Sequence, residues 1–220
     1  MAELQALVVD YGGVLTNSLA ETMGAWFHAE GVDGEAFGRA MRDLLGPQGQ
    51  HEARVNPVHA LERGEIQIPH FEEQLAAHLV STTGEPVRAQ GLLGRMFSGF
   101  RRADGMVDVV RRVRQAGRKT ALLSNSWGMD YPREGWDELF DVTVISGEVG
   151  MRKPDPDIYE LCAQRLGLPP QACVFVDDLS PNVRGAAAVG MVGVLHRTYD
   201  ETVAELQTLF ALDLSDTELQ

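Results

Sequence analysis

The chain is short of cysteine, of long apolar runs and of positive charge, and each shortage excludes a class of protein. Its two cysteines, Cys162 and Cys173, cannot build the disulfide framework of a small secreted domain. Both stand among apolar neighbours, which predicts buried free thiols in a reducing compartment. No apolar stretch approaches the roughly 20 residues that span a bilayer. The amino terminus, Met1-Ala2-Glu3-Leu4-Gln5, lacks the basic region of a signal peptide, and the expected location is cytoplasmic. With 19 Lys and Arg against 32 Asp and Glu, the net charge of −13 argues against nucleic acid or an anionic membrane as the main partner. A small phosphorylated metabolite stays open, because a local cation and backbone N–H groups can oppose the global field. Zinc-like spacing is missing too: His28, His51, His59, His70 and His78 fall at unrelated intervals and read as surface or partly buried residues.

What is there begins with Leu7-Val8-Val9-Asp10-Tyr11-Gly12-Gly13. A Leu-Val-Val run bounded by glycine reads as a buried strand with Asp10 at its carboxyl end, the edge where ligands bind in an open α/β sheet. Gly12 and Gly13 let the backbone turn sharply and bring N–H groups up to a bound anion. After Thr16 the pattern becomes helical, with Leu19, Met23, Trp26 and Phe27 on one face and Gly31 as a stop. Further helices are predicted over 37–45, 57–63, 71–79 and 87–97, with no convincing strand among them.

From Met106 the chain alternates. A helix closed by Gly117 precedes a strand over 120–125, and further strands are predicted over 142–147, 173–178 and 192–196. Asp155, Pro156 and Gly167 frame one intervening helix, and Ser180-Pro181 opens another. Strands alternating with helices predict a parallel sheet with right-handed crossovers. A helix from Asp200 leads to an acidic tail, 213–220, expected to fray. The predicted fold is therefore a three-layer α/β/α, Rossmann-like core, residues 1–16 and 98–220, with a helical insertion, 17–97. An apolar face on that insertion would suit a homodimer.

The polar residues at the strand ends share one chemistry. Asp10, Ser124-Asn125, Lys153 and Asp177-Asp178 would converge on a single sheet edge. A carboxylate such as Asp10 can attack phosphorus and form an aspartyl-phosphate if the charge between the two anions is neutralised. Mg²⁺ prefers oxygen ligands, and Asp10, the Gly12 carbonyl and one or both of Asp177 and Asp178 make a reasonable half-shell. Lys153 and the Ser124 hydroxyl would meet the phosphoryl oxygens, and the N–H of Asn125 with the turn amides near Gly12 and Gly13 would complete a cradle. His51, in the loop after Gly46-Pro47, is the histidine that a loop of the helical insertion could present to a leaving group.

These motifs resemble those of the haloacid dehalogenase superfamily of hydrolases. Asp10-Tyr11-Gly12-Gly13-Val14-Leu15 matches the nucleophile motif, Leu122-Leu123-Ser124-Asn125 the second, Lys153-Pro154 after Gly150-Met151 the third, and Val176-Asp177-Asp178 the acidic fourth. The chain is most similar to the branch holding the amino-terminal phosphatase domain of soluble epoxide hydrolase, whose second motif continues as in Ser126-Trp127. The resemblance implies a helical cap inserted after the first motif and Mg²⁺-dependent hydrolysis of a small phosphomonoester on Asp10. It also implies a second aspartate two residues after the nucleophile, serving as acid and base, and here that position is Gly12. Two rival readings follow: a non-catalytic, ligand- or protein-binding member, which Gly12 favours, and a metal-free dehalogenase, which the acidic pair and Lys153 disfavour.

Overall fold

The structure is a computed structural model that describes residues 3–45, 56–128 and 130–214; His51 and the loop around it lie outside them. Five parallel strands form the sheet: β1 (Ala6–Val9), β2 (Lys119–Ser124), β3 (Val142–Ile145), β4 (Cys173–Asp177) and β5 (Val192–Leu195). Their order is β3-β2-β1-β4-β5, so the chain moves to one side of β1 and later returns to the other. Register is set by continuous apolar runs buried on both faces, as expected of an all-parallel sheet. Val9 pairs with Leu122 on one side and Val176 on the other, which puts Asp10, Ser124 and Asp177 at the same edge. The switch in direction leaves a crevice between β1 and β4 there.

Period-two alternation divides the strands between two cores. Leu7, Val9, Leu122, Val174 and Val176 meet Val109, Val110 and Val113 of one helix and Leu206 and Phe210 of another. Ala6, Val8, Leu123 and Phe175 meet Ile158, Tyr159, Cys162 and Ala186. Both cysteines are buried and free, and burial pushes the Cys162 thiol up to about 12.

Between the first two strands lie α1 (Leu19–Glu30), α2 (Gly34–Leu45), α3 (Pro57–Glu62), α4 (Ile68–Ala77) and α5 (Leu92–Met96). They share a third core that includes Met23, Trp26, Leu61, Phe71, Leu75 and Met96. Ser18 accepts the Glu21 N–H to start α1, and Gly31 ends it in the left-handed region at φ 61°. Where the chain leaves and re-enters the sheet layer, Thr16 bridges to Arg102 and Asn17 N–H donates to the Arg101 carbonyl at 2.9 Å.

The remaining helices are α6 (Asp104–Gln115), α7 (Trp136–Leu139), α8 (Ser146–Val149), α9 (Pro156–Leu166), α10 (Ser180–Ala188) and α11 (Tyr199–Phe210). Three expectations change. The predicted strand over 142–147 stops at Ile145, because Ser146 opens α8 and its hydroxyl donates to the Glu62 carbonyl at 2.5 Å. The predicted helix over 87–97 shortens to α5, whose N-cap Gly91 sits at φ 70° and whose Gly91 and Leu93 N–H groups donate to the Glu72 carboxylate. The start of the acidic tail is ordered, since Leu214 is buried and its carbonyl accepts from Arg112 at 2.7 Å. Asp155 occupies the N-cap of α9 without a side-chain capping bond. No helix of the described residues is long and apolar enough to cross a membrane.

Candidate active site

At the crevice, Asp10 follows β1 and its N–H donates to the Val176 carbonyl at 2.9 Å, which fixes the carboxylate beside the end of β4. Lys153, one of two lysines in the chain, is wholly buried and reaches this edge from the turn after α8. Its Nζ lies 2.8 Å from Asp10 Oδ1 and 2.7 Å from Asp177 Oδ2, above the Phe175 ring. Asp177 also accepts from Leu179 N–H at 2.8 Å and from Asn182 Nδ2 at 3.0 and 3.1 Å, so donors already surround both of its oxygens. Asn182, five residues on in the first turn of α10, is a site residue that the motif spacing did not single out.

Charge at this edge is unbalanced. Single oxygens of Asp10, Asp177 and Asp178 all lie within 4.8 Å of one another, against the one ammonium of Lys153. Burial pushes Asp10 up to about 7, with Lys153 opposing and Asp177 reinforcing. Asp178 rises to about 6 through burial and the Asp177 charge. Burial alone would lower Lys153, but Asp10 and Asp177 outweigh it and hold the ammonium protonated. Two buried carboxylates bridged by one lysine, with the half-buried Asp178 beside them, make an all-oxygen donor set that suits a divalent cation such as Mg²⁺.

The glycine pair acts differently at its two positions. Gly13 has φ 75°, and a Cβ there would stand 2.3 Å from Asp178 Oδ2, so only glycine admits the carboxylate. Its N–H, expected in the phosphate cradle, is instead donated to Thr16 Oγ1 at 3.0 Å. Gly13 thus serves the site by its missing side chain. Gly12 faces the cavity, and a Cβ on it would meet only the Phe100 ring, at 3.7 Å.

Ser124, at the end of β2, is buried, and its Oγ lies 3.0 Å from the Tyr131 hydroxyl. The Asn125 side chain clamps Lys153 by its backbone: Nδ2 donates to the Lys153 carbonyl at 3.0 Å and Oδ1 accepts its N–H at 2.9 Å. Asp10, Gly12, Ser124, Asn125, Lys153 and Asp178 line one cavity of about 270 Å³. Its far wall comes from the helical block, with Leu19, Met23 and Phe97 among its apolar groups, joined by Trp127 from the loop after β2. Glu62 of α3 meets Arg152 at 2.5 Å on the same wall. A larger hollow of about 370 Å³ beside Gly64 and Glu148 is lined by none of the charged cluster.

Besides Asn182, the motifs did not single out Tyr131 or the pairing of Glu62 with Arg152. Tyr131 lies in a loop, and its signal would have been aromatic company, since its ring meets Tyr11 at 5.1 Å and Trp136 at 5.7 Å. Glu62 and Arg152 are 90 positions apart, and nothing local pairs them.

Comparison with known proteins identifies the family. The model of the haloacid dehalogenase-like hydrolases matches residues 4–190. The chain is 27% identical over 226 residues to bifunctional epoxide hydrolase 2 of Sus scrofa, covering 97% of this chain and 40% of that protein. It is 34% identical over 143 residues to sesquiterpene phosphatase astK of Aspergillus oryzae, covering 62% of this chain and 70% of that one. Thus it spans less than half the length of the first relative. The crystal structure of a HAD-family enzyme from Bacteroides thetaiotaomicron, in complex with magnesium and inorganic phosphate, superposes with a TM-score of 0.58 at 21% identity, covering 88% of this chain and 94% of that one. With the family model spanning all four strand-end motifs, the chain belongs to the haloacid dehalogenase-like hydrolases.

Proposed function

We propose that this hydrolase cleaves small phosphomonoesters through an aspartyl-phosphate on Asp10. The observation that carries the reading is the Asp10–Lys153–Asp177 bridge, with Asp178 beside it, at the crevice between β1 and β4. Lys153 holds Asp10 with one oxygen directed and charged. The other attacks phosphorus, forming the Asp10 oxygen–phosphorus bond as the bond to the leaving oxygen breaks. Water then attacks the phosphorus, inorganic phosphate leaves, and the Asp10 carboxylate is regenerated. Ser124 and the Asn125 N–H hold the phosphoryl oxygens.

Asp10, Asp178 and the Gly12 carbonyl would hold Mg²⁺, with Asp177 adding its charge while its own oxygens order Lys153 and Asn182. When bound, the ion supplies positive charge against the phosphoryl group.

Gly12 has no proton to give the departing oxygen. A missing acid typically costs on the order of a hundred- to ten-thousand-fold, so esters with good leaving groups, aryl and acyl phosphates, react best. The apolar wall supports an apolar organic group on the substrate, a chemistry also present in the name of the Aspergillus relative. Residues 17–97 act as the cap, excluding water above Asp10. The reaction fits a cytoplasmic protein acting on a small metabolite.

The test is phosphate release with Mg²⁺ across aryl, acyl, sugar and lipid phosphates, run beside Asp10→Asn. Turnover lost in the variant supports the reading. Equal turnover in both overturns it, and phosphate binding without any turnover favours the binding-only member that Gly12 suggests.

A further inference from the structure

Among the polar side chains of the cavity to which the proposed reaction gives no role is the Tyr131 phenol. It is largely buried, its pKa is pushed up to about 12 by burial, and it is therefore a neutral hydroxyl at working pH. Its ring is held edge-on between Tyr11 and Trp136, so the hydroxyl position is set by packing. That hydroxyl is 3.0 Å from Ser124 Oγ, and either oxygen can be the donor.

Each hydroxyl carries one proton, so the bond between Tyr131 and Ser124 runs in one of two directions. Ser124 lines the cavity with Asp10. Donation from Ser124 to Tyr131 would turn the Ser124 lone pairs toward an anion in the cavity, whereas donation from Tyr131 to Ser124 leaves the Ser124 proton for that anion, so a phosphoryl oxygen selects the second direction. The donated bond also polarises the Ser124 hydroxyl.

We infer that Tyr131 is a positioning residue: by donating to Ser124 it directs the Ser124 hydroxyl proton into the cavity, to be given to a phosphoryl oxygen. This rests on the phosphomonoester reading above. Tyr131 itself touches no reacting atom.

Tyr131→Phe removes the hydroxyl and keeps the ring contacts. The experiment compares wild type, Tyr131→Phe, Ser124→Ala and the double variant, all full-length with Mg²⁺. It measures kcat, KM, the affinity for inorganic phosphate and the melting temperature. Tyr131→Phe should lower kcat/KM and phosphate affinity by about threefold to tenfold, the worth of one oriented hydrogen bond, with the melting temperature held. In the Ser124→Ala background the same change should add nothing. Equal losses in both backgrounds, or no loss in either, would overturn the inference. If wild type binds phosphate without turning over any ester, the hydrolase reading fails and the affinities still decide the role of Tyr131. If it does neither, both fall.

Discussion

Two buried charged groups face the same cavity, and they differ in their arithmetic. On the sheet side one ammonium serves three carboxylates, while on the helical side Glu62 and Arg152 meet one to one. The unbalanced cluster has carboxylates pushed up to about 7 and about 6, whereas Glu62, buried as deeply, is raised by burial and pulled back by Arg152. A matched pair is complete and can only hold two layers together. An unmatched cluster keeps acidic charge to share with a cation, as the proposed reaction requires, and the matched pair has none to spare.

Changes that break the unbalanced side should have the largest effects. Asp10→Asn should lower turnover at least a thousandfold, since a neutral amide oxygen is a poor nucleophile and does not form the acyl phosphate. The fold should survive, and circular dichroism with a phosphate-release assay checks both. Lys153→Met leaves buried carboxylates without their cation. It should cost about 3–5 kcal/mol of stability as well as activity, read from denaturant titration. Gly13→Ala should perturb the centre without removing any charged group, because its Cβ would strike the Asp178 carboxylate. Loss of the Mg²⁺-dependent rise in melting temperature is the measurement.

The matched side should respond more mildly. Glu62→Gln leaves Arg152 without its counter-charge and should cost roughly 2 kcal/mol, less than Lys153→Met because the pair keeps some solvent contact. Smallest is an effect of pH on His59, which burial, Arg152 and Arg63 hold down to about 4. Between that value and the ordinary 6.5, the unfolded chain binds a proton that the folded one refuses, so stability falls as the pH is lowered through this window and levels off below it. His59→Gln should narrow the difference in melting temperature between pH 7 and pH 5.5 by about one or two degrees, a small amount because the ring is half-exposed.

Much of the sheet edge was legible because a parallel strand announces itself. Val8-Val9 before Asp10 and Phe175-Val176 before Asp177 are short apolar runs ending in a carboxylate, and parallel strands must present their carboxyl ends together. The glycine pair was legible as a turn, but not the division of labour within it. That Gly13 yields its space to Asp178 and its N–H to Thr16 depends on contacts across the crevice. The strand over 142–147 was read too long because Ser146 and Gly147 follow it without a break in pattern. What ends it is a bond from Ser146 to the carbonyl of Glu62, 84 positions away.

By itself, then, the sequence determined the alternation of strands and helices, the parallel sheet, and which polar residues would stand at its edge. These follow from periodicity and from residues adjacent in the chain. Only the tertiary structure decided that Lys153 would lie between Asp10 and Asp177, that Asn182 would support that bridge, and that Tyr131 would reach Ser124. Those are side-chain meetings between separate elements. Their geometry comes from how layers pack, a property that no local pattern of residues carries.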